Sequence, residues 1–99
     1  MTPVEVLDAA TVDATLAEGI AWERQDDELV KVHKERDFAG ALDFVNRVGA
    51  IAERANHHPD FEIRWNTVTL RLSTHSAGGI TNADLEMAKQ IDALAAPPD

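Results

Sequence analysis

Apolar residues recur at intervals of three and four positions from Asp37 to Ala55, and this spacing predicts one long helix. Asp37 is a suitable N-cap for this helix, and Pro59 prevents it from continuing far beyond Asn56. The apolar stripe of the helix consists of Phe38, Ala41, Leu42, Val45, Val48, Gly49, Ala52 and Ala55.

Two pairs of short segments flank this helix and predict two β-hairpins. The first pair, residues 20–24 and 28–35, is separated by Gln25, Asp26 and Asp27, a composition typical of a turn. In the second pair, residues 61–65 and 68–72, apolar and polar residues alternate on both sides of a tight connection at Asn66 and Thr67. We therefore expect each pair to form two antiparallel strands.

The remaining apolar patterns predict one helix near each end of the chain. Thr11 to Glu18 reads as a short helix with Thr11 as its N-cap and Gly19 at its end. Thr81 followed by Asp84 is a capping signal for a last helix. The inner residues of the first helix are Val12, Leu16 and Ile20, and those of the last are Leu85, Ala88, Ile91 and Leu94.

The order of these elements, α-β-β-α-β-β-α, predicts an α+β fold. We expect a four-stranded antiparallel sheet with three helices packed on one face, since each helix must bury its apolar stripe. A chain of 99 residues with 44% hydrophobic content is long enough for one core and too short for two ordinary domains. A single domain over residues 1–99 is therefore expected, with an ordered core at about residues 7–94 and a fraying tail from Ala95 to Asp99.

Phe44 and Ile51 fall outside the apolar stripe of the long helix. We expect them to form a second apolar face that packs against a partner subunit, which would make the protein an oligomer.

The charge and composition of the chain exclude several classes of function. A net charge of −9 disfavours direct binding to nucleic acid, because phosphates are repelled. No stretch approaches the roughly 20 apolar residues that span a bilayer, and the acidic segment from Met1 to Asp8 has no basic region typical of a signal peptide. The chain contains no cysteine, so disulfides and thiolate chemistry are absent. The cytoplasm is the expected location.

The candidate chemistry lies in three histidines. His57 and His58 follow the long helix, and His75 follows the last strand. Because the second hairpin is antiparallel, the start of its first strand and the end of its second strand meet at one end of the sheet, which brings these histidines together. Imidazole exchanges protons near neutral pH, so the cluster is suited to general acid and base catalysis. His33 has no partner in the pattern and is expected at the surface.

Two other interpretations of the histidines stay open. Histidine clusters also bind zinc, although adjacent histidines point their rings differently and the HExxH spacing is absent. Alternatively, each histidine merely caps a carbonyl group or fills a polar corner.

Several neighbouring residues are ambiguous in the same way. Glu53 lies four residues before His57, so on a helix it would share a face with that histidine. It could orient the imidazole ring or hold a substrate amine, or else form a surface ion pair with a neighbouring arginine. Asp84 is explained by helix capping alone. Trp65 could stack on a flat ring or fill the core, and Trp22 is expected to pack in the core.

Taken together, the pattern Glu53-x3-His57-His58-Pro59-x5-Trp65-x9-His75-x8-Asp84 resembles the signature of the pterin-4a-carbinolamine dehydratase family. Many members of the family have tyrosine where this chain has Trp65. The similarity covers roughly three quarters of the chain and includes Trp22, Phe38 to Phe44, Asn56 to Asp60, Trp65 to Val68, Thr74 to Ser76 and Gly78 to Thr81.

The resemblance implies the same α+β fold, a homodimer or homotetramer, and dehydration of 4a-hydroxytetrahydropterin to quinonoid dihydropterin and water in tetrahydropterin recycling. It implies no metal or organic cofactor, and a pterin as the substrate. The implied catalytic residues are His57, His58 and His75, and the implied substrate-binding residues are Glu53, Pro59, Trp65, Thr74 and Asp84. The family also includes members with a binding role, as dimerisation cofactors of a transcription factor or in enzyme assembly, so a non-catalytic role on the same fold is the alternative.

Overall fold

A computed structural model describes residues 5–95 of the chain. The predicted order of elements is confirmed, and the four strands form one antiparallel sheet in the order β1-β2-β4-β3. The predicted tail beyond residue 95 and the first four residues of the acidic N-terminal segment lie outside the described residues. The elements are α1 (Ala9–Leu16), β1 (Glu23–Gln25), β2 (Glu28–Lys34), α2 (Phe38–Ala55), β3 (Asp60–Arg64), β4 (Thr67–Leu72) and α3 (Asn82–Ala95).

The core lies between one face of the sheet and the three helices. β4 occupies the interior of the sheet between β2 and β3, so its alternate residues Val68, Leu70 and Leu72 are fully buried. The pairing of Leu29 with Leu72 places β2 in the same register against this core. All three helices contribute to the cluster, for example through Val12, Val48 and Ile91. None of the helices within residues 5–95 is long and apolar enough to cross a bilayer.

The long helix α2 has the predicted ends but buries a different stripe. Asp37 caps it by accepting the Gly40 N–H at 2.8 Å. The expectation that Phe44 and Ile51 face a partner subunit is wrong, because both pack in the core of their own chain with exposures of 4% and 6%. The buried residues follow each other at three- and four-residue intervals, which is one helical face: Ala41, Phe44, Val48, Ile51 and Ala52. The more exposed large apolar residues of this helix are instead Phe38 and Leu42.

Helix α1 begins two residues earlier than predicted. Asp8, and not Thr11, is its N-cap, because the Asp8 carboxylate accepts the Thr11 N–H at 2.8 Å. The helix ends at Leu16, and Gly19 makes the following turn with a φ of 116°, a conformation that favours glycine.

Strand β1 is shorter than predicted because helix α3 binds the segment that precedes it. The Asp92 carboxylate accepts the Ala21 N–H and the Trp22 indole N–H, both at 2.8 Å. It also forms a salt bridge with Lys31 at 3.0 Å. The expected packing of Trp22 in the core is confirmed. The backbone of residues 21–22 is thus held by a side chain of α3, and the strand begins only at Glu23.

His33 is not the surface residue expected from the sequence. Its ring stacks on Phe44 with centroids 3.8 Å apart, and its Nε2 lies 2.5 Å from a Glu35 carboxylate oxygen. It shares the core-facing side of β2 with Leu29 and Lys31, since alternate residues of a strand point the same way.

The β3–β4 turn consists of Trp65 and Asn66, one position earlier than predicted. Trp65 has a φ of 56°, a region that tryptophan rarely occupies, and its side chain is 66% exposed. Two hydrogen bonds fasten the turn to the end of β2: Glu35 N–H to the Asn66 carbonyl at 2.9 Å, and the Asn66 amide to the Glu35 carbonyl at 2.8 Å.

The two carboxylates around α1 should titrate at unusually low pH. Hydrogen bonds from Thr11 lower the pKa of Asp8, and the hydrogen bond from Arg24 lowers the pKa of Asp13, both from 3.8. A pKa lowered in the folded state means that each carboxylate stabilises the fold above pH 3.8 and loses that contribution as the pH falls through its folded pKa. We expect carboxyl carbon NMR to give both midpoints below 3.8.

Arg24→Gln separates the two causes. The substitution should raise the titration midpoint of Asp13 and leave that of Asp8 unchanged, since of these two carboxylates only Asp13 contacts the Arg24 guanidinium. An unchanged Asp13 midpoint in this variant would contradict the assignment.

Asp92→Ala should destabilise the protein by about 2 kcal/mol, because it leaves the half-buried Trp22 indole N–H without its acceptor and removes the salt bridge with the largely buried Lys31. Urea denaturation measures the loss. Glu86→Ala on the same helix is the matched control, since its ion pair with Lys89 is exposed and should contribute no more than about 0.5 kcal/mol. Equal losses in the two variants would show that Asp92 does not hold the start of β1.

Candidate functional site

The end of α2 determines where the paired histidines lie. Asn56 adopts a left-handed conformation with a φ of 50°, and its N–H and that of His57 bond back to carbonyl groups of the last helical turn. The chain therefore leaves the helix at Asn56, before it reaches the histidines. Pro59 is buried and leads directly into β3.

Asp84 is the centre of the site. It lies in the first turn of α3, its carboxylate is fully buried, and it accepts three hydrogen bonds. Nε2 of His57 lies 2.5 Å from Oδ1. The Thr74 hydroxyl and the Thr81 N–H donate to Oδ2, at 2.8 and 2.9 Å. The capping role expected for Asp84 is present, and the same carboxylate also holds His57.

Thr74 and Thr81 orient this carboxylate by binding Oδ2, the oxygen that does not contact His57. Their hydroxyl oxygens are 2.7 Å apart, and the Thr81 oxygen also accepts the Ala83 N–H at 3.2 Å. Since the Thr74 hydroxyl hydrogen points to Asp84, we infer that Thr81 donates to Thr74. In the sequence, Thr81 was part of a capping signal and of the family resemblance, and neither indicated that it supports Asp84. Its burial, with 1% exposure, comes from its place beneath the site.

His75 lies in a loop that is built on Thr74. The Thr74 carbonyl accepts N–H groups of Ala77 and Gly78 at 2.9 Å, and the Thr74 N–H donates to Gly79 at 2.9 Å. Gly78 has a φ of 83°, which closes the loop. His75 itself is exposed. Because Thr74 and His57 both bind Asp84, the fold brings the His75 loop and His57 to one carboxylate.

His58 and Glu53 form a second, more open pair. His58 Nε2 lies 2.5 Å from a Glu53 carboxylate oxygen, and the side chains are 55% and 79% exposed. The expectation that Glu53 shares a face with His57 is wrong, because the left-handed Asn56 turns His57 away from the helix and towards α3. Glu53 binds the next histidine instead.

Trp65 does not lie with the histidines in this chain. The turn that contains it is at the far end of the β3–β4 hairpin from Asp60 and Leu72. Five residues of extended strand separate it from the start of β3, which corresponds to about 16 Å.

The geometry of the site is suited to proton transfer at the half-buried His57, whose side chain is 17% exposed. Asp84 accepts at Nε2 of His57, so the other ring nitrogen, Nδ1, is the one left to exchange a proton with a bound molecule. The carboxylate also provides the counter-charge when the ring is protonated. Between residues 5 and 95, histidines and carboxylates form no group of three that could hold a metal ion.

Comparison with known proteins gives a consistent result. The sequence profile of the family described as "Pterin 4 alpha carbinolamine dehydratase" matches residues 5–94 of this chain. Two bacterial relatives carry the name "Putative pterin-4-alpha-carbinolamine dehydratase". The protein from Thermomicrobium roseum is 49% identical over 89 residues, which cover 90% of this chain and 96% of the relative. The protein from Nocardia farcinica is 46% identical over 91 residues, which cover 92% and 96%.

Two solved structures share the fold. The crystal structure of a transcriptional coactivator/pterin dehydratase from Brucella Melitensis has a TM-score of 0.87 and 29% sequence identity, and the alignment covers 93% of this chain and 100% of that one. A pterin dehydratase-like protein identified as a RuBisCO assembly factor in the alpha-carboxysome has a TM-score of 0.62, with 78% and 89% coverage, and at 22% identity the likeness concerns the fold alone. The match of the family profile to nearly the whole chain, together with relatives of nearly the same length, establishes that this chain belongs to the pterin 4 alpha carbinolamine dehydratase family.

Proposed function

We propose that this protein dehydrates 4a-hydroxytetrahydropterin to quinonoid dihydropterin and water, with His57, His58 and His75 as its catalytic residues. The observation that carries the proposal is the buried Asp84 carboxylate, which holds the ring of His57 and, through Thr74, the base of the His75 loop. The names of the relatives and the family profile support the reaction class.

The reaction needs one proton donor and one proton acceptor. The bond between C4a and the hydroxyl oxygen breaks, and its electron pair leaves with the oxygen. A proton from the acid completes the water molecule. The neighbouring ring nitrogen loses its proton to the base, and the electron pair of that N–H bond forms the new double bond to C4a. General acid and base catalysis of this kind is typically worth about 10²- to 10⁴-fold in rate.

His57 is assigned as the acid and His75 as the base. In its protonated form, His57 holds one hydrogen towards Asp84 and presents the other at Nδ1 to the leaving hydroxyl. His75 is exposed on its loop, where it can accept the ring proton and pass it to solvent. His58, steadied by Glu53, binds and polarises the pterin ring. Glu53, Pro59, Thr74 and Asp84 are proposed as substrate-binding or pocket-forming residues.

Trp65 requires a separate assignment. It is also proposed as a substrate-binding residue, but its distance from the histidines within one chain means that it could serve only a site completed by a second copy. The exposed ring in a left-handed turn is consistent with such a contact. The proposal therefore includes a homodimer or homotetramer.

Loss of either His57 or His75 should slow the chemical step. We expect His57→Ala and His75→Ala each to lower the single-turnover rate by about 100-fold, and the double variant to abolish acceleration. Stopped-flow absorbance of chemically generated 4a-hydroxytetrahydropterin measures this. His33→Gln is the matched control, since it removes a histidine outside the site and should keep the wild-type rate. Full rates in the His57 or His75 variant would remove the assignment, and no acceleration by the wild type would favour a binding role on this fold.

His57 should be locked in one tautomer. Because Asp84 is an acceptor at Nε2, we expect neutral His57 to carry its hydrogen at Nε2. Long-range proton–nitrogen NMR spectra at alkaline pH distinguish the two tautomers. His58 serves as an internal comparison, since its pair with Glu53 is exposed and should allow averaging between tautomers. An Nδ1–H pattern for His57 would contradict the described geometry.

A further inference from the structure

The N-terminal segment contacts the C-terminal end of the His75 loop. The Leu7 N–H donates to the Ile80 carbonyl at 2.8 Å, one residue after the loop closes. Val6 lies against Gly79: a Cβ atom added to Gly79 would come within 2.8 Å of Val6 Cγ1. We call residues Val6 and Leu7 the strap.

The loop therefore has two anchors. The inner anchor is Thr74, whose backbone and hydroxyl bind Gly79 and Asp84. The outer anchor is the strap on Gly79 and Ile80. Between the anchors, His75 is exposed, and no hydrogen bond to its ring occurs among the described residues. The position of its ring is consequently set by the backbone of the loop, and so by both anchors.

The two residues of the strap are held differently, because Leu7 packs against the hydrophobic core and Val6 does not. The other side of the strap lines a cleft of about 560 Å³ together with Val12, Arg24 and Asp27. Val6 is 45% exposed. Leu7 therefore ties the strap to the core, and Val6 is the part of it that can shift outwards without disturbing the sheet.

We propose that Val6 and Leu7 are positioning residues of the dehydratase site, because they clamp Gly79 and Ile80 and thereby fix the place of His75. The inference rests on the proposed function. The strap does not touch the reacting atoms, and its effect is on the chemical step: a displaced base lowers kcat, whereas substrate affinity, which depends on other residues, keeps KM unchanged.

The contact between Val6 and Gly79 can be tested by enlarging Gly79 and then shortening Val6 to compensate. Gly79 has an ordinary backbone conformation, so alanine is tolerated there except for its clash with Val6. Gly79→Ala should push the strap away and lower kcat about tenfold at constant KM. In the double variant Val6→Ala, Gly79→Ala the clashing methyl is gone, and the two Cβ atoms would lie 3.9 Å apart, in ordinary contact. We expect the double variant to recover kcat to within about twofold of the wild type.

The ring protons of His75 provide a second readout, independent of activity. Their NMR chemical shifts should move in Gly79→Ala and return in the double variant. Val32→Ala is the control, since it shortens another exposed valine, 65% accessible, on the opposite face of the sheet and should change neither rate nor shifts. Should Gly79→Ala fail to fold, Val6→Ala alone removes the contact without a clash and should lower kcat about threefold with displaced His75 signals.

The outcomes separate the two proposals. If the wild type does not accelerate the dehydration, the proposed function fails, and the NMR shifts alone decide whether the strap positions His75. If the wild type is active and Gly79→Ala keeps its kcat and its His75 shifts, the strap has no positioning role. If Gly79→Ala lowers kcat and the additional Val6→Ala does not restore it, the active site requires Gly79 for a reason other than its contact with Val6. That result would also overturn the inference.

Discussion

A buried carboxylate with no neighbouring lysine or arginine among its partners must be satisfied by hydrogen bonds, and this requirement at Asp84 organises one end of the molecule. Its three donors come from the turn after α2, the end of β4 and the start of α3. An uncompensated carboxylate in this position would cost several kcal/mol. The end of the long helix, the histidine loop and the last helix are consequently fixed relative to each other by one side chain, and the His57 ring acquires a defined position from a buried group.

The spacing of apolar residues along the chain, together with the capping residues, was sufficient to predict the order of helices and strands. The long helix, both hairpins and the capping signal at Thr81 follow from local rules, because three- and four-residue spacing, alternation and turn composition are properties of neighbouring residues. Which face of α2 is buried could not be predicted from the sequence. α2 carries two overlapping apolar stripes, and only the position of the sheet decides that Phe44 and Ile51 are buried while Phe38 and Leu42 are more exposed.

The convergence of the histidine segments was predicted from the sequence, whereas the pairings of the histidines and the separate place of Trp65 were not. The antiparallel hairpin brings the histidine segments together, as alternation implied, but Glu53 pairs with His58 and His57 pairs with Asp84. Both pairings depend on one left-handed residue, Asn56, and a change of direction at a helix end follows from backbone conformation that spacing does not encode. Asp92 shows the same limit: nothing in its local sequence indicates that it accepts hydrogen bonds from residues 70 and 71 positions away.

That long separation has a consequence for the order in which the protein assembles. A bond between Ala21 and Asp92 can form only after most of the chain has collapsed and α3 has docked, because closing so long a loop is entropically expensive until intervening contacts exist. Before that moment β1, with three residues and a partner on one side only, is held only by its short pairing with β2 and by the surface ion pair between Arg24 and Asp13. The first strand in the chain is therefore expected to be the last to join the sheet, and the region most readily opened in the native protein would be the edge that Asp92 closes.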